Sequence, residues 1–164
     1  DHLEKAYDDA KYGNFSKDPY IDIILPSVLD PDMAPPGKHV MSCFVQYAPY
    51  NINGGWDDDK REALGDTVIN TIARYAPNIK DIILYRQILS PKDLETTFGL
   101  TEGNIFHGEL SLQQLFALRP ASKWADYTTP IQNYYQCGSG THPGGGITGS
   151  PGEMAAKKIL SNQL

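Results

Sequence analysis

The stretch that decides the interpretation of this chain is "CGSGTHPGGGITGSPGEMAAKKIL", Cys137 to Leu160, near the end of its 164 residues. Ser150 and Glu153 form a Ser-x-x-Glu capping pattern, with Pro151 at the first helical position. The pattern predicts a helix from Ser150. Because a helix N-terminus presents free N–H groups and the positive end of the helix dipole, the glycine loop in front of it favours a flat or phosphorylated ligand.

The first part of the glycine loop does not match the common phosphate-binding motifs. "GSGTHPG" contains Gly-x-Gly, but the third glycine comes one position late for Gly-x-Gly-x-x-Gly. The pattern Gly-x-x-x-x-Gly-Lys-Ser/Thr is absent. Spacing alone therefore leaves two interpretations open, a ligand-binding loop and a plain flexible loop.

Upstream of the loop, strand-like and helix-like segments alternate. The predicted helices cover residues 2–12, Asp59 to Ala76, a short stretch from Pro91, and Ser111 to Leu118. The predicted strands cover residues 20–25, 39–48, 79–89 and 131–137, with a short extended segment in "GNIFHGEL". This order indicates an α+β fold with a mixed, largely antiparallel sheet backed by helices, ending in a strand–Gly-rich loop–helix.

The first two predicted strands have the clearest pattern. They are close enough in sequence to pair as an antiparallel hairpin. In the second, Met41, Cys43, Val45 and Tyr47 alternate with more polar residues, so this apolar set is predicted to face a core.

Composition limits the classes of function and compartment. The net charge is −6 and the basic residues are scattered singly, which excludes a nucleic-acid partner. Cys43 and Cys137 lie in apolar runs and are predicted to be buried free thiols. There is neither a signal-peptide pattern nor an apolar run of membrane-spanning length. A cytoplasmic protein is expected, with a peripheral membrane or organellar location left open.

The start of the chain favours a piece of a longer protein. The chain begins at Asp1 without an initiator methionine, and Leu3, Ala6 and Tyr7 keep helical spacing from the first turn.

Several polar residues have two interpretations each. His107 and His142 either face a ligand or substrate or are packed locally. Arg119 either contacts an acidic ligand or is a cation at a helix end. The run Asp57 to Asp59 is better explained by a helix N-terminus than by a metal site, and no metal site is predicted.

Several long motifs resemble one known family. "PSVLDPDMAPPGKHVMSCFVQYAPY", "FGLTEGNIFHGELSLQQLFALRP" and "WADYTTPIQNYYQCGSGTHPGGGITGSPGEMAA" are similar to the phytoene desaturase-like flavoproteins. Within that family they are most similar to the pyridine nucleotide-disulfide oxidoreductase domain-containing group. The resemblance runs from about Tyr20 to Leu160.

The resemblance implies a role in binding FAD. In this family a Rossmann unit near the N-terminus holds the ADP half of FAD, and a C-terminal strand–loop–helix closes over the ribityl chain and flavin ring. Residues 1–130 would then be a substrate-binding region and residues 131–164 would complete the FAD site, within a single folded unit. The cofactor-binding residues implied are Gly138, Ser139, Gly140, Thr141, Gly145, Gly146, Ile147 and Thr148. His107 and Tyr47 are the candidate substrate-binding residues.

The resemblance also implies what this chain lacks. It lacks the N-terminal Rossmann unit that holds the ADP half of FAD, so weak or no flavin binding is expected from the chain alone. The expected partners are the N-terminal FAD-binding half of the same protein and a small apolar substrate, with hydride transfer between flavin and substrate. An unpartnered half is also expected to self-associate as a homo-oligomer. Two alternatives remain: a non-enzymatic binding or assembly module that retains the fold, and a phosphate- or nucleotide-binding protein that uses the loop alone.

Overall fold

The computed structural model describes residues 1–162 and divides the chain into two compact units, Asp1–Leu94 and Glu95–Leu164. The expectation of a single folded unit stays a prediction. The functional boundary at residue 131 is a separate matter and stays a prediction.

The first unit combines helices with a two-stranded sheet. Strands β1 (Tyr20–Ile24) and β2 (Ser42–Gln46) pair antiparallel, in the register Tyr20↔Gln46 to Ile24↔Ser42. The helices of this unit are α1 (His2–Lys11), α2 (Asp58–Ala73) and α3 (Ile79–Ile82), and α4 (Pro91–Phe98) crosses the boundary. The α+β class and the predicted hairpin are confirmed. In the described part of the chain the sheet contains these two strands alone, so it is antiparallel rather than mixed.

The faces of β2 alternate as predicted, although neither face is fully covered. Cys43 and Val45 are half-buried, whereas Ser42 and Phe44 are exposed. The hairpin therefore presents its apolar side to a thin core rather than to a deep one.

Ser16 connects the end of α1 to the chain beyond β2. Its side-chain hydroxyl donates to the Ala6 carbonyl and accepts from the Tyr47 N–H at 2.8 Å. Its own N–H donates to the Tyr47 carbonyl at 2.9 Å. These hydrogen bonds, rather than further strand pairing, hold the Tyr47 backbone beside α1.

Helix α2 begins earlier than predicted. The helix was predicted to begin at Asp59, but its cap is Asp57, whose extended backbone lets its side chain accept from the Lys60 N–H at 2.8 Å. The helix buries Leu64, Gly65, Thr71 and Ile72.

The predicted strand over residues 79–89 is wrong. Its first residues form the short helix α3, and the rest is extended without a strand partner among residues 1–162. Ile88 packs onto Gly65, where an added Cβ would collide with its Cδ1 atom, while Leu84 and Tyr85 are 76% and 83% exposed. Arg86 is held by Asp66 and Glu62, at 2.6 and 2.5 Å. The segment has strand-forming residues but no neighbour to complete a ladder.

The second unit is mostly irregular until helix α5 (Ser150–Ser161). The predicted helix over 111–118 is wrong: two 3-10 turns, Leu112–Gln114 and Phe116–Leu118, are separated by the extended Leu115. The predicted strand over 131–137 is also wrong, because this region has only an isolated bridge between Thr128 and Tyr135. The structure therefore ends in a glycine loop and helix without the preceding strand.

The two cysteines are free thiols, as predicted. Cys43 is half-buried and burial raises the pKa of its thiol, but Cys137 is exposed, which corrects the prediction that both are buried. The irregular backbone around Cys137 leaves it without a sheet face to pack into.

Over residues 1–162, none of the helices combines the length and apolar character that a bilayer crossing requires.

Candidate functional site

The glycine loop opens with a compact turn over residues 138–141. The Thr141 hydroxyl donates to the Gly138 carbonyl at 2.9 Å, and the Thr141 N–H donates to the same carbonyl at 3.0 Å. The Gly138 N–H donates to the Thr141 hydroxyl at 3.3 Å. Thr141 is 3% exposed, so its side chain serves the turn itself. Gly138 has φ of 154°, which disfavours a residue with a side chain.

Arg119 lies beneath this turn and is 2% exposed. Its Nε and Nη2 atoms both donate to the Ser139 carbonyl, at 3.1 and 2.5 Å. Nη2 also donates to the Phe106 carbonyl, and Nη1 donates to the carbonyls of Glu109 and Gln114 at 3.4 and 3.2 Å. One side chain thus joins the glycine loop to the segment that contains His107.

These contacts exclude one of the two interpretations of Arg119, direct contact with an acidic ligand. A guanidinium has five N–H donors, and these five hydrogen bonds use all of them. Within residues 1–162 no carboxylate forms an ion pair with Arg119, so backbone carbonyls alone compensate its buried charge.

The segment around His107 lies against the loop. A Cβ added at Gly140 would lie 3.8 Å from the Cβ of His107. A Cβ added at Gly145 would lie 3.1 Å from the Ser139 hydroxyl and 3.2 Å from a ring atom of Phe106. The structure therefore brings His107 close to the predicted cofactor residues, and Gly145 allows the loop to close on itself.

The outer part of the loop, residues 146–149, is open to solvent. Ile147 is fully exposed with φ of 57°, and Gly146 has φ of 130°. Over the described residues, the N–H groups of Gly146, Ile147 and Thr148 have no intramolecular acceptor. Three consecutive free donors therefore stand directly before α5.

The cap of α5 differs from the prediction. Gly149, with φ of 72°, occupies the N-cap position, and Ser150 is already the first helical residue. The Ser150 N–H donates to the Thr148 hydroxyl at 3.2 Å. The left-handed backbone of Gly149 turns the chain into the helix without a side-chain cap, so Ser150 is not needed for that role.

Tyr127 is a residue of this region that the sequence did not reveal. It is 7% exposed, and its hydroxyl contacts the His142 carbonyl and the Met154 sulfur, each at 3.0 Å. Burial raises the pKa of its phenol. It connects the loop to α5, and its position in an irregular segment gave no periodic signal.

His142 packs inside the second unit. Its ring centroid lies 5.9 Å from that of Phe116, and its Nδ1 atom is buried without a hydrogen-bond partner. Tyr47, the other predicted substrate residue, is half-buried in the first unit with its ring centroid 5.2 Å from that of Tyr7. The substrate-binding roles of Tyr47 and His107 stay predictions.

The run Asp57 to Asp59 is the start of α2, as interpreted. Among the described residues, no group of three or more His, Cys, Asp or Glu side chains is arranged to hold a metal ion.

The donor set of the loop fits the flavin end of FAD. The pyrimidine edge of a flavin carries nitrogen and carbonyl oxygen acceptors, and residues 146–148 offer unpaired backbone donors at the positive end of α5. The turn at 138–141, in contrast, satisfies much of its own hydrogen bonding, so Thr141 contributes its shape rather than its hydroxyl.

Comparison with known proteins identifies relatives of this chain. No family model matches it. It is 50% identical over 160 residues to the "Pyridine nucleotide-disulfide oxidoreductase domain-containing protein 2" of Rattus norvegicus, covering 96% of this chain and 28% of the rat protein. It is 33% identical over 144 residues to the "Phytoene desaturase (lycopene-forming)" of Pseudescherichia vulneris, covering 85% of this chain and 27% of that enzyme.

A third relative extends the comparison to another substrate. One of the limonene dehydrogenase polypeptides of Castellaniella defragrans is 33% identical over 142 residues, which cover 82% of this chain and 25% of that protein. The chain thus spans about a quarter of the length of the relatives it matches. It is homologous to a part of the phytoene desaturase-like oxidoreductases, as its motifs indicated, and the match is consistent with their C-terminal part.

Proposed function

We propose that this homologue of the phytoene desaturase-like oxidoreductases is the C-terminal part of an FAD-dependent enzyme that moves a hydride between the flavin and an apolar substrate. The observation that carries the proposal is the row of free N–H groups at Gly146, Ile147 and Thr148, directly before α5, in a chain with these relatives. When bound, FAD supplies the hydride chemistry.

The role of this chain is to bind and orient one end of the flavin. The N–H groups of residues 146–148 donate to the acceptor edge of the ring, and the positive end of α5 favours negative charge there. Gly138, Ser139, Gly140 and Thr141 form the turn that borders the ribityl chain, and Gly145 keeps the loop closed behind it. No proton transfer is assigned to a residue of this chain.

The proposal that the substrate is apolar rests on the names of two relatives. They are named for phytoene and for limonene, both of which are hydrocarbons. His107 is the substrate-side residue next to the loop in the second unit, and Tyr47 contributes an aromatic wall in the first. The free thiols of Cys43 and Cys137 favour the cytoplasm as compartment.

The partner in the proposal is the remainder of the same polypeptide, including its ADP-binding half. Two segments with strand-forming sequences, residues 83–89 and 131–137, have no ladder among the described residues. Large apolar side chains are also exposed in each unit, such as Leu84 at 76% and Leu112 at 75%. Unpaired strand-forming segments and exposed apolar surface both favour a chain that is completed by further protein.

A pair of glycine variants tests the proposal in the full-length protein. Gly146 and Gly37 both have positive φ, of 130° and 72°, and neither has close packing at its Cβ position. Replacing either by alanine therefore strains the backbone without a side-chain clash, more strongly at Gly146 than at Gly37, and Gly37→Ala controls for strain outside the loop. We expect Gly146→Ala to weaken FAD binding about tenfold, because it shifts the free donors, whereas Gly37→Ala leaves the affinity unchanged.

Three outcomes would contradict the proposal. Full-length protein that never retains FAD would favour the non-enzymatic module instead. Equal FAD affinity of Gly146→Ala and Gly37→Ala would show that the loop is not part of the FAD-binding site. Tight one-to-one FAD binding by residues 1–164 alone would show that no second half is required.

A further inference from the structure

We infer that Arg119 is the positioning residue of the candidate cofactor loop, fixing the 138–141 turn against residues 106–114 and thereby holding His107 beside Gly140. The positioning itself is independent of any ligand. Its consequence for FAD rests on the proposed function.

The first step of the argument is the reach of the guanidinium. Its donors end on the carbonyls of Phe106, Glu109, Gln114 and Ser139, which belong to separate turns of the chain. Ser139, the residue in the glycine turn, accepts from two donors. One side chain therefore crosslinks two segments that have no helix or strand ladder between them.

The second step is that these carbonyls need a donor from somewhere. Buried backbone carbonyls are normally paired within helices and sheets, and unpaired ones are costly. Residues 106–114 contain one short 3-10 turn, and residues 138–146 contain only turns and bends, so the usual partners are missing. Arg119 supplies five donors in one plane and takes the place of a ladder.

The third step is that two glycines of the surrounding backbone lie within van der Waals range of the guanidinium. A Cβ added at Gly108 would lie 3.5 Å from Nη1 of Arg119, and one added at Gly144 would lie 3.6 Å from Nε. Both glycines also have positive φ, of 140° and 107°. Lysine is unsuitable here because its three donors diverge from a single nitrogen and lack the planar fork.

The consequence for binding follows from charge as well as shape. The guanidinium is buried and has no carboxylate partner among residues 1–162, so its positive charge acts on the same loop whose free N–H groups precede α5. In the proposed enzyme, Arg119 presents the loop in its binding conformation and favours an anionic group there without contacting it.

The test begins with the unmodified chain, by NMR and hydrogen exchange. We expect the Arg119 Nε–H to give a slowly exchanging signal, because it is buried and bonded to the Ser139 carbonyl. Rapid exchange of this proton with solvent would overturn the inference without any variant.

Two variants then separate the planar donor geometry of the Arg119 guanidinium from its positive charge. Arg119→Met removes both, and Arg119→Lys keeps the charge alone. We expect both to raise exchange about tenfold or more at the Thr141 and His107 amides, which bond to Gly138 and Asn104, and to leave the α5 amides unchanged. Arg74→Met is the matched control, because Arg74 is an exposed arginine of the first unit with a single bond to Asp18.

Each outcome decides the matter. The positioning role would be overturned by unchanged amide exchange at Thr141 and His107 in Arg119→Met. It would also be overturned by wild-type exchange at the same amides in Arg119→Lys. If α5 also loses protection in both variants, the unit has unfolded and the Nε–H signal of the unmodified chain decides.

FAD titration of the full-length variants forms a separate arm. An affinity loss of about tenfold or more in both Arg119→Met and Arg119→Lys would support the consequence for binding. An unmodified full-length protein without FAD would contradict the proposed function but would leave the exchange result on Arg119 intact.

Discussion

At the scale of single residues, buried polar side chains contribute much of the stability of the second unit. Its buried apolar residues in the described part are Tyr127, Pro151 and Ala155, whereas Arg119 and Thr141 are buried polar groups with saturated hydrogen bonds. Such a unit gains less from apolar burial, so individual hydrogen bonds carry a larger share of its stability.

Tyr127→Phe tests this dependence directly. The change removes the hydroxyl that contacts the His142 carbonyl and the Met154 sulfur but keeps the ring. We expect the free energy of unfolding to fall by about 1 kcal/mol, measured by urea denaturation at about pH 8. No loss, with unchanged exchange at the loop, would mean that the hydroxyl does not connect the loop to α5.

The same residue predicts a dependence on alkaline pH. Burial raises the pKa of Tyr127 above its ordinary value of 10.0, so the folded state favours the protonated phenol. The resulting stability is present below about pH 10 and is lost as the pH rises through the folded pKa. Denaturation between about pH 8 and 11 should therefore show a steeper loss for the unmodified chain than for Tyr127→Phe.

Two glycines on either side of Gly149 should respond in opposite directions to alanine. At Gly145 a Cβ meets Ser139 and Phe106 at 3.1 to 3.3 Å, so Gly145→Ala should cost about 1 to 2 kcal/mol. At Gly152, in the first turn of α5, a Cβ meets nothing within 4 Å, so Gly152→Ala should stabilise by up to about 1 kcal/mol. Thermal denaturation of both variants measures the difference, and equal effects would contradict the packing at Gly145.

At the scale of elements, the helices and strands that formed are those whose backbone hydrogen-bond partners lie within the described chain. Strands β1 and β2 pair with each other across the connection over residues 25–41, and α4 begins at a local cap. Residues 79–89 and 131–137 have strand-forming composition but no adjacent strand in the described part of the chain, and they remain irregular beyond α3. Helices satisfy their own backbone, whereas a strand depends on a neighbour.

The cap of α4 gives a prediction at this scale. The Ser90 N–H and hydroxyl donate to Asp93 at 2.8 and 2.6 Å, and the Asp93 N–H donates back to the Ser90 hydroxyl at 3.2 Å. Arg61 bonds the other carboxylate oxygen at 3.1 Å. We expect Asp93→Ala to destabilise the first unit by about 1 kcal/mol and to raise exchange at the start of α4.

Acid titration provides the check on that cap. Burial raises the pKa of Asp93, but the hydrogen bonds from Ser90 and the charge of Arg61 outweigh it, and the pKa lies below its ordinary value of 3.8. The stability from this carboxylate is therefore present above pH 3.8 and is lost as the pH falls through the folded pKa. Asp93→Ala should lack this part of the acid transition, and an identical acid profile would argue against the cap.

At the scale of the whole molecule, many more apolar side chains are exposed than are buried in the core. In the described residues the buried apolar core consists of Ala6, Leu64, Ile72, Tyr127 and Ala155. The most exposed apolar residues are Tyr12, Leu29, Tyr75, Leu84, Tyr85, Leu112 and Ile147. In the proposed enzyme the rest of the polypeptide covers much of this surface.

Without that cover, the chain is expected to self-associate. Sedimentation over a range of concentrations should show association of residues 1–164, and Leu84→Glu with Tyr85→Glu should reduce it, because charge at an exposed apolar site opposes contact. Circular dichroism should remain unchanged, since both side chains are exposed. A chain that stays monomeric at all concentrations would contradict this expectation.

The sequence by itself determined the features that are local. The helices α1, α2 and α4 and the glycine loop before α5 follow from capping, spacing and turn residues within a few positions, and the strands β1 and β2 follow from the residue pattern along each strand. The long motifs also gave the family, because they match relatives without needing the fold.

Only the tertiary structure decided which of the remaining segments found partners. Arg119 is a single arginine before a proline in the sequence, yet it joins Phe106 to Ser139. Tyr127 has no periodic signal, and the segments at 79–89 and 131–137 look as strand-like as the two strands that formed. Whether a donor meets an acceptor far away in the sequence depends on the path of the chain between them, and no local pattern encodes that path.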